Sequence, residues 1–79
     1  MTKIEYGKCE KLMEEAIIKA KQSEEEFKKC GQLINENEIK ADLERRKADQ
    51  HYGEAVGINQ ALVTIGFKHD RMKELSELI

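Results

Sequence analysis

Residues 6 to 30 read YGKCEKLMEEAIIKAKQSEEEFKKC, and the spacing of the uncharged side chains in this stretch decides the fold. Tyr6, Met13, Ala20 and Phe27 stand seven apart, and Cys9, Ala16, Ser23 and Cys30 repeat the interval three residues later. Alternating steps of three and four keep one seam of a helix turned toward a partner helix. None of these eight positions is charged, although Asp, Glu, Lys and Arg make up 38% of the chain, so the seam is a burial surface rather than an accident of composition. Glu15 with Lys19, Glu24 with Lys28 and Glu25 with Lys29 are pairs in the favourable order, each adding about 0.2–0.5 kcal/mol to the helix.

Upstream, Thr2 followed by Glu5 is a capping-box signature, which starts the helix near residue 3. Downstream, Gly31 suits the left-handed residue that closes a helix, and Lys28 and Lys29 suit the negative end of its dipole. The first helix is therefore expected over about residues 3–30, with a turn over about 31–36. Asn35 with Glu38 offers a second capping box and Asn37 a competing cap, giving a second helix over about 37–65. Its first half is poor in apolar residues, whereas Ala55, Val56, Ile58, Ala61, Leu62, Val63 and Ile65 surround the second half almost completely, as in a helix buried on more than one side. Gly66 is the expected stop, and Asp70 a cap for a short helix over about 70–78 that carries Met72, Leu75, Leu78 and Ile79 on one stripe.

Two long helices joined by a short loop pack antiparallel. The predicted fold class is thus all-α: a coiled-coil-like antiparallel hairpin of two long helices with a short third helix at the C-terminal end, in a single domain over 1–79. Phe27 should then lie near Leu43, Ala16 and Ala20 near Gln50 to Ala55, and Cys9 and Tyr6 near Ala61 and Leu62.

Composition agrees with the period. Ala, Glu, Lys, Leu and Arg supply 39 of 79 residues and there is no Pro or Trp, the usage of long helices whose outer faces are wet. Leu, Ile, Val and Phe together number 18 of 79, just above the roughly one-fifth below which chains stay disordered, so a thin core is expected. The net charge of −2 is spread in alternating signs along the chain, which gives no field of one sign to draw nucleic acid or an anionic membrane. The longest apolar run is three residues, against about 20 for a membrane span. Two cysteines 21 residues apart, with no signal-like stretch, suit a reduced cytoplasmic setting. Both should be unbridged and buried in the seam, since 21 residues of helix span roughly 30 Å and a disulfide needs Cα atoms within about 7 Å.

Chemistry finds little to work with. His51, His69, Cys9 and Cys30 are the only soft metal ligands, and none has zinc-site spacing. There is no Glu-x-x-His pair for a di-iron bundle, no HExxH, and no Asp with a Glu three residues before it for an acidic metal cluster. Neither cysteine nor Ser23 has a base beside it, and a thin hairpin offers little concave volume. No cofactor and no catalytic residue is expected, and the chain reads as a non-enzyme.

What remains is binding. Gly53, Gly57, Ala61 and Thr64 form a small-residue stripe in which each Gly costs about 1 kcal/mol of helix propensity. Close approach of another helix would offset that cost, in which case Gly57→Leu should destabilise through overpacking. Below about 70–80 residues one core rarely suffices without disulfide, metal or oligomerisation, so a homodimer or other symmetric oligomer is expected, joined through the apolar end by Leu12, Ile17, Ile18, Gly53, Val56, Gly57, Ile58, Ala61 and Ile65. The predicted function is a self-associating protein–protein interaction module or regulator with a further protein partner, of the kind frequent among phage and mobile-element accessory proteins. The alternative is a nucleic-acid-associated regulator in which a dimer doubles the patch of Lys40, Arg45, Arg46 and Lys47; a patch this small predicts weak, salt-sensitive binding.

Overall fold

The computed structural model describes all 79 residues as three helices and no strand: α1 (Lys3–Leu33), α2 (Glu38–Thr64) and α3 (Met72–Leu78). α1 and α2 pack along their length as an antiparallel hairpin, and α3 returns from the open end to lie against α1. The result is a rod whose Cα envelope measures 51 × 16 × 16 Å.

Each helix end has a chemical cause. Thr2 is the N-cap of α1: its hydroxyl accepts from the Glu5 backbone N–H at 3.1 Å and donates to the Glu5 carboxylate at 3.2 Å. Gly31 does not stop the helix. It keeps helical backbone, and α1 runs on to Leu33 because Asn37, not Asn35, supplies the next cap, its side chain accepting from the Lys40 N–H at 3.0 Å. The two lysines expected in the last turn therefore sit inside the helix. At the other end of α2 the expected glycine does its work. Gly66, at φ +77°, is the one left-handed residue of the chain; its N–H reaches the Val63 carbonyl and the Phe67 N–H reaches that of Leu62. This is a Schellman closure, and its two hydrophobic members, Leu62 and Phe67, are both buried. α3 starts at Met72, two residues later than expected, after an Arg71 cap with no side-chain bond, so Asp70 has no capping role.

The core follows the seam, then departs from it. Cys9, Met13, Ala16, Ala20 and Ser23 are buried as the heptad requires, but Tyr6 and Phe27 at its two ends are exposed and Cys30 is only half-buried. Both cysteines are free thiols, and the burial expected of Cys30 fails because the helices have little beside them near the turn. On α2 the buried residues are Ala41, Ala48, Ala55 and Leu62, again seven apart. Alanine at this position leaves room for backbones to approach while burying little apolar area per residue. α3 completes the core with Leu75, which is fully buried, while Met72, Leu78 and Ile79 pack on its margin.

The register is fixed by polar contacts. Ser23, buried in the seam, donates its hydroxyl to the Ala48 carbonyl at 2.9 Å, Lys19 pairs with Glu54, and Glu26 pairs with His51. No buried side-chain nitrogen or oxygen lacks a partner.

Candidate functional site

The nine residues expected to form one association surface do not share one. Ile17 is 1% exposed and belongs to the internal core with Met13, Leu62 and Leu75; α3 covers it, so it is withdrawn from any outer surface. Gly53 and Gly57 point outward. A methyl group built on either meets nothing within 4 Å, so no helix approaches there and overpacking by a larger residue does not apply. The stripe of small residues is real as a face, but that face looks at solvent. Ile18 is exposed on the outer side of α1, where it is the one apolar residue of a shallow hollow it shares with Glu26 and His51. Val56, half-buried, precedes by one heptad Val63, which lines a hollow shared with Met72 and Ser76 of the α3 flank.

The remaining four share a flank. On α1, Leu12, Lys19 and Glu26 are heptad mates, and on α2, His51, Ile58 and Ile65 are another set. Glu26 faces His51, while Lys19 and Ile58 line one hollow with Glu15 and Glu54. The antiparallel register therefore brings Leu12 level with Ala61 and Ile65 at the open end, where Cys9 and Ile65 line a further hollow with Met1 and Lys8. α3 lies on the other flank, tied to Glu10 through His69 and to Lys21 through Glu74. The flank opposite α3 thus grades from polar near the turn to apolar at the open end, where Leu12 and Ile65 are 44% and 58% exposed.

Electrostatics marks the middle of that flank. The Glu54 carboxylate is held below the ordinary carboxylate value, first by the hydrogen bond from Lys19, then by that from Gln50, against a smaller opposing effect of burial. Lys19 is raised by the same bond, with the charges of Glu54 and Glu15 adding to it. On the α3 flank Glu74 is lowered by Arg71 and then by Lys21, at 3.1 and 3.2 Å. These ion pairs lie at the surface, with side chains partly exposed to solvent.

The two histidines are structural. His69 Nδ1 accepts from the Arg71 backbone N–H at 3.0 Å, so the ring hydrogen sits on Nε2 and is donated to Glu10 at 2.9 Å. His69 also lies beside Tyr6 and Phe67 in a small aromatic stack that seals the open end. Sequence reasoning weighed both histidines only as metal ligands and found no partner, because their glutamates lie 25 and 59 residues away. No three His, Cys, Asp or Glu side chains come close enough to hold a metal ion. In the basic patch, Arg46 is paired with Asp42 at 3.0 Å and Lys47 with Glu44 at 3.7 Å, which leaves Lys40 and Arg45 as its unpaired cations. No helix is long and apolar enough to cross a membrane.

No protein-family model, curated protein or solved structure matches this chain.

Proposed function

We propose that the chain is a non-enzymatic protein–protein interaction module that self-associates as a dimer through the open-end part of the flank opposite α3. One observation carries the reading: the apolar stripe of Leu12, Ala61 and Ile65 lies uncovered directly beside the thickest part of the core. Only 12 of 79 residues are buried, few for a domain that must balance its own chain entropy, and an isologous pairing of that stripe is the commonest way to enlarge such a core. A setting in the cytoplasm, among phage or mobile-element accessory proteins, belongs to the same reading and rests on composition. The nucleic-acid alternative loses ground, because half of its four cations are already neutralised by neighbouring carboxylates and affinity follows the number of phosphates neutralised.

Multi-angle light scattering tests it. The expected mass at micromolar concentration is twice the 9.1 kDa of one chain, falling to one chain in the Leu12→Glu, Ile65→Glu double variant, whose exposed sites leave the fold intact. A mass of 9.1 kDa for the unaltered protein rejects self-association.

A further inference from the structure

α3 supplies a wall that two helices alone lack. It is held to α1 by the Glu74 to Lys21 ion pair and, through the loop before it, by His69 on Glu10. α2 bonds to it only just past its end, where Tyr52 donates its hydroxyl to the Ile79 backbone oxygen at 2.8 Å. Leaning on α1 in this way, α3 leaves an open slot of about 420 Å³ between itself and α2, a size within the roughly 300–1,000 Å³ of small-ligand sites. Buried Phe67 forms its floor, and exposed Val63 of α2 and half-buried Met72 of α3 are its apolar walls.

Charge sets this slot apart. Lys68 and Lys73 stand at it without an ion pair, and no carboxylate lines it. Four other hollows, of about 430 to 680 Å³, each carry at least one glutamate. The cause is local sequence: Ala55 to His69 contains no Asp or Glu, in a chain with 16 acids among 79 residues. The acids that follow turn elsewhere, Glu74 to Arg71 and Lys21 and Glu77 to the hollow beside Phe27, and Asp70 does not line the slot. We infer that the slot binds small amphipathic anions, with a headgroup such as a carboxylate at Lys68 and Lys73 and an apolar body laid over Phe67, Val63 and Met72. Lysine keeps its ammonium in water while its stem lies along apolar surface, so the rim supplies the charge and the floor supplies the burial. Two cations suit one anionic group, whereas a polyanion draws its affinity from a row of neutralised phosphates, and a cation finds no acid here. The slot is on the flank opposite the stripe of Leu12, Ala61 and Ile65, so it stands or falls apart from self-association.

The probe is sodium octanoate, titrated into the full-length protein and followed by amide NMR, with octanol as the same chain without charge and octylammonium as the same chain with the opposite charge. Saturable shifts at Val63, Phe67, Lys68 and Met72 are expected with octanoate and none there with octylammonium. Octanol should bind about fivefold more weakly, the worth of two exposed charge contacts, and hexanoate at least about fourfold more weakly than octanoate for its two missing methylenes. The Lys68→Gln, Lys73→Gln double variant, both of whose sites are exposed, should keep its melting temperature and bring octanoate down to the affinity of octanol. Lys28→Gln, at the hollow that holds Glu24, should change nothing. The proposal is overturned by absence of saturable shifts, by equal affinity for octanol and octanoate, by a folded double variant that binds octanoate as the parent does, or by shifts centred on Leu12, Ala61 and Ile65, which would put the ligand on the opposite flank.

Discussion

The two halves of this hairpin are built from the same helices and held by different means. Toward the open end three elements meet, and Met13, Ile17, Leu62 and Leu75 are buried to within 1% of complete. Toward the turn only two helices meet, and what they bury is Ser23, Ala41 and Ala48, while Phe27, Ile34, Ile39 and Leu43 remain exposed. Two helices share one line of contact, and side chains longer than Ala project past that line into water. A third helix turns the line into an enclosed volume. α3, with seven residues, therefore governs where large side chains become core, and the turn half relies on the Ser23 to Ala48 bond, the His51 to Glu26 pair and the Asn37 cap.

The largest test of that contrast is a pair of identical truncations. Leu75→Ala removes a fully buried side chain and should cost about 2–5 kcal/mol, a fall in Tm of roughly 10 °C or more at about 4–8 °C per kcal/mol. Leu43→Ala, in the turn half and half exposed, should stay within about 0.5 kcal/mol of the parent. Equal losses in thermal melts would mean that the turn half has a core of its own.

Next in size is a pair of glycine substitutions with opposite signs. Gly66→Ala places a side chain at φ +77° and should destabilise by about 1–2 kcal/mol, loosening the closure that launches α3. Gly57→Ala adds a methyl group to open solvent in mid-helix and should stabilise by up to about 1 kcal/mol. Denaturant midpoints of the two variants read the signs directly, and a destabilising Gly57→Ala would restore a close contact at that face.

The smallest effect is that of pH. Glu54 and Glu74 titrate below the ordinary 4.5 in the folded chain, so their contribution is whole above that value and fades as pH drops through their folded values. Lys19 is raised above 10.5, so its contribution is whole below 10.5 and fades as pH climbs past it. All three groups are partly solvated, which keeps both limbs shallow. Glu54→Gln should flatten the alkaline limb and part of the acid limb in melts taken across pH; unchanged limbs would detach the Lys19 bond from stability.

How much of this was legible in the sequence follows from what periodicity encodes. It tells which residues share a face, and so the heptad from Cys9 to Ser23, the Gly66 stop and the stripe of α3 could be read directly. It does not tell what a face looks at. Gly53, Gly57 and Ala61 form the same stripe whether a helix or solvent lies opposite, and solvent does. Ile17 was read as outer surface because a two-helix seam has no place for it, and the third helix creates that place. Gly31 misled because glycine permits a helix end without requiring one, and the cap that decides the matter, Asn37, competes with Asn35 two residues away. The histidine pairs were out of reach altogether, since their partners become neighbours only through the fold.

The slenderness of the rod has a consequence for measurement. A compact domain of 79 residues has a radius of gyration of about 11.6 Å, whereas this chain has 14.9 Å, a value that a compact chain reaches at roughly 150 residues. A single hairpin passing through a column calibrated with globular standards will therefore elute early and counterfeit a dimer, and a true end-to-end dimer will overstate itself further. Elution volume confounds length with mass in this protein, so a stoichiometry carries weight only when it comes from sedimentation equilibrium or scattered intensity, which weigh the particle whatever its outline.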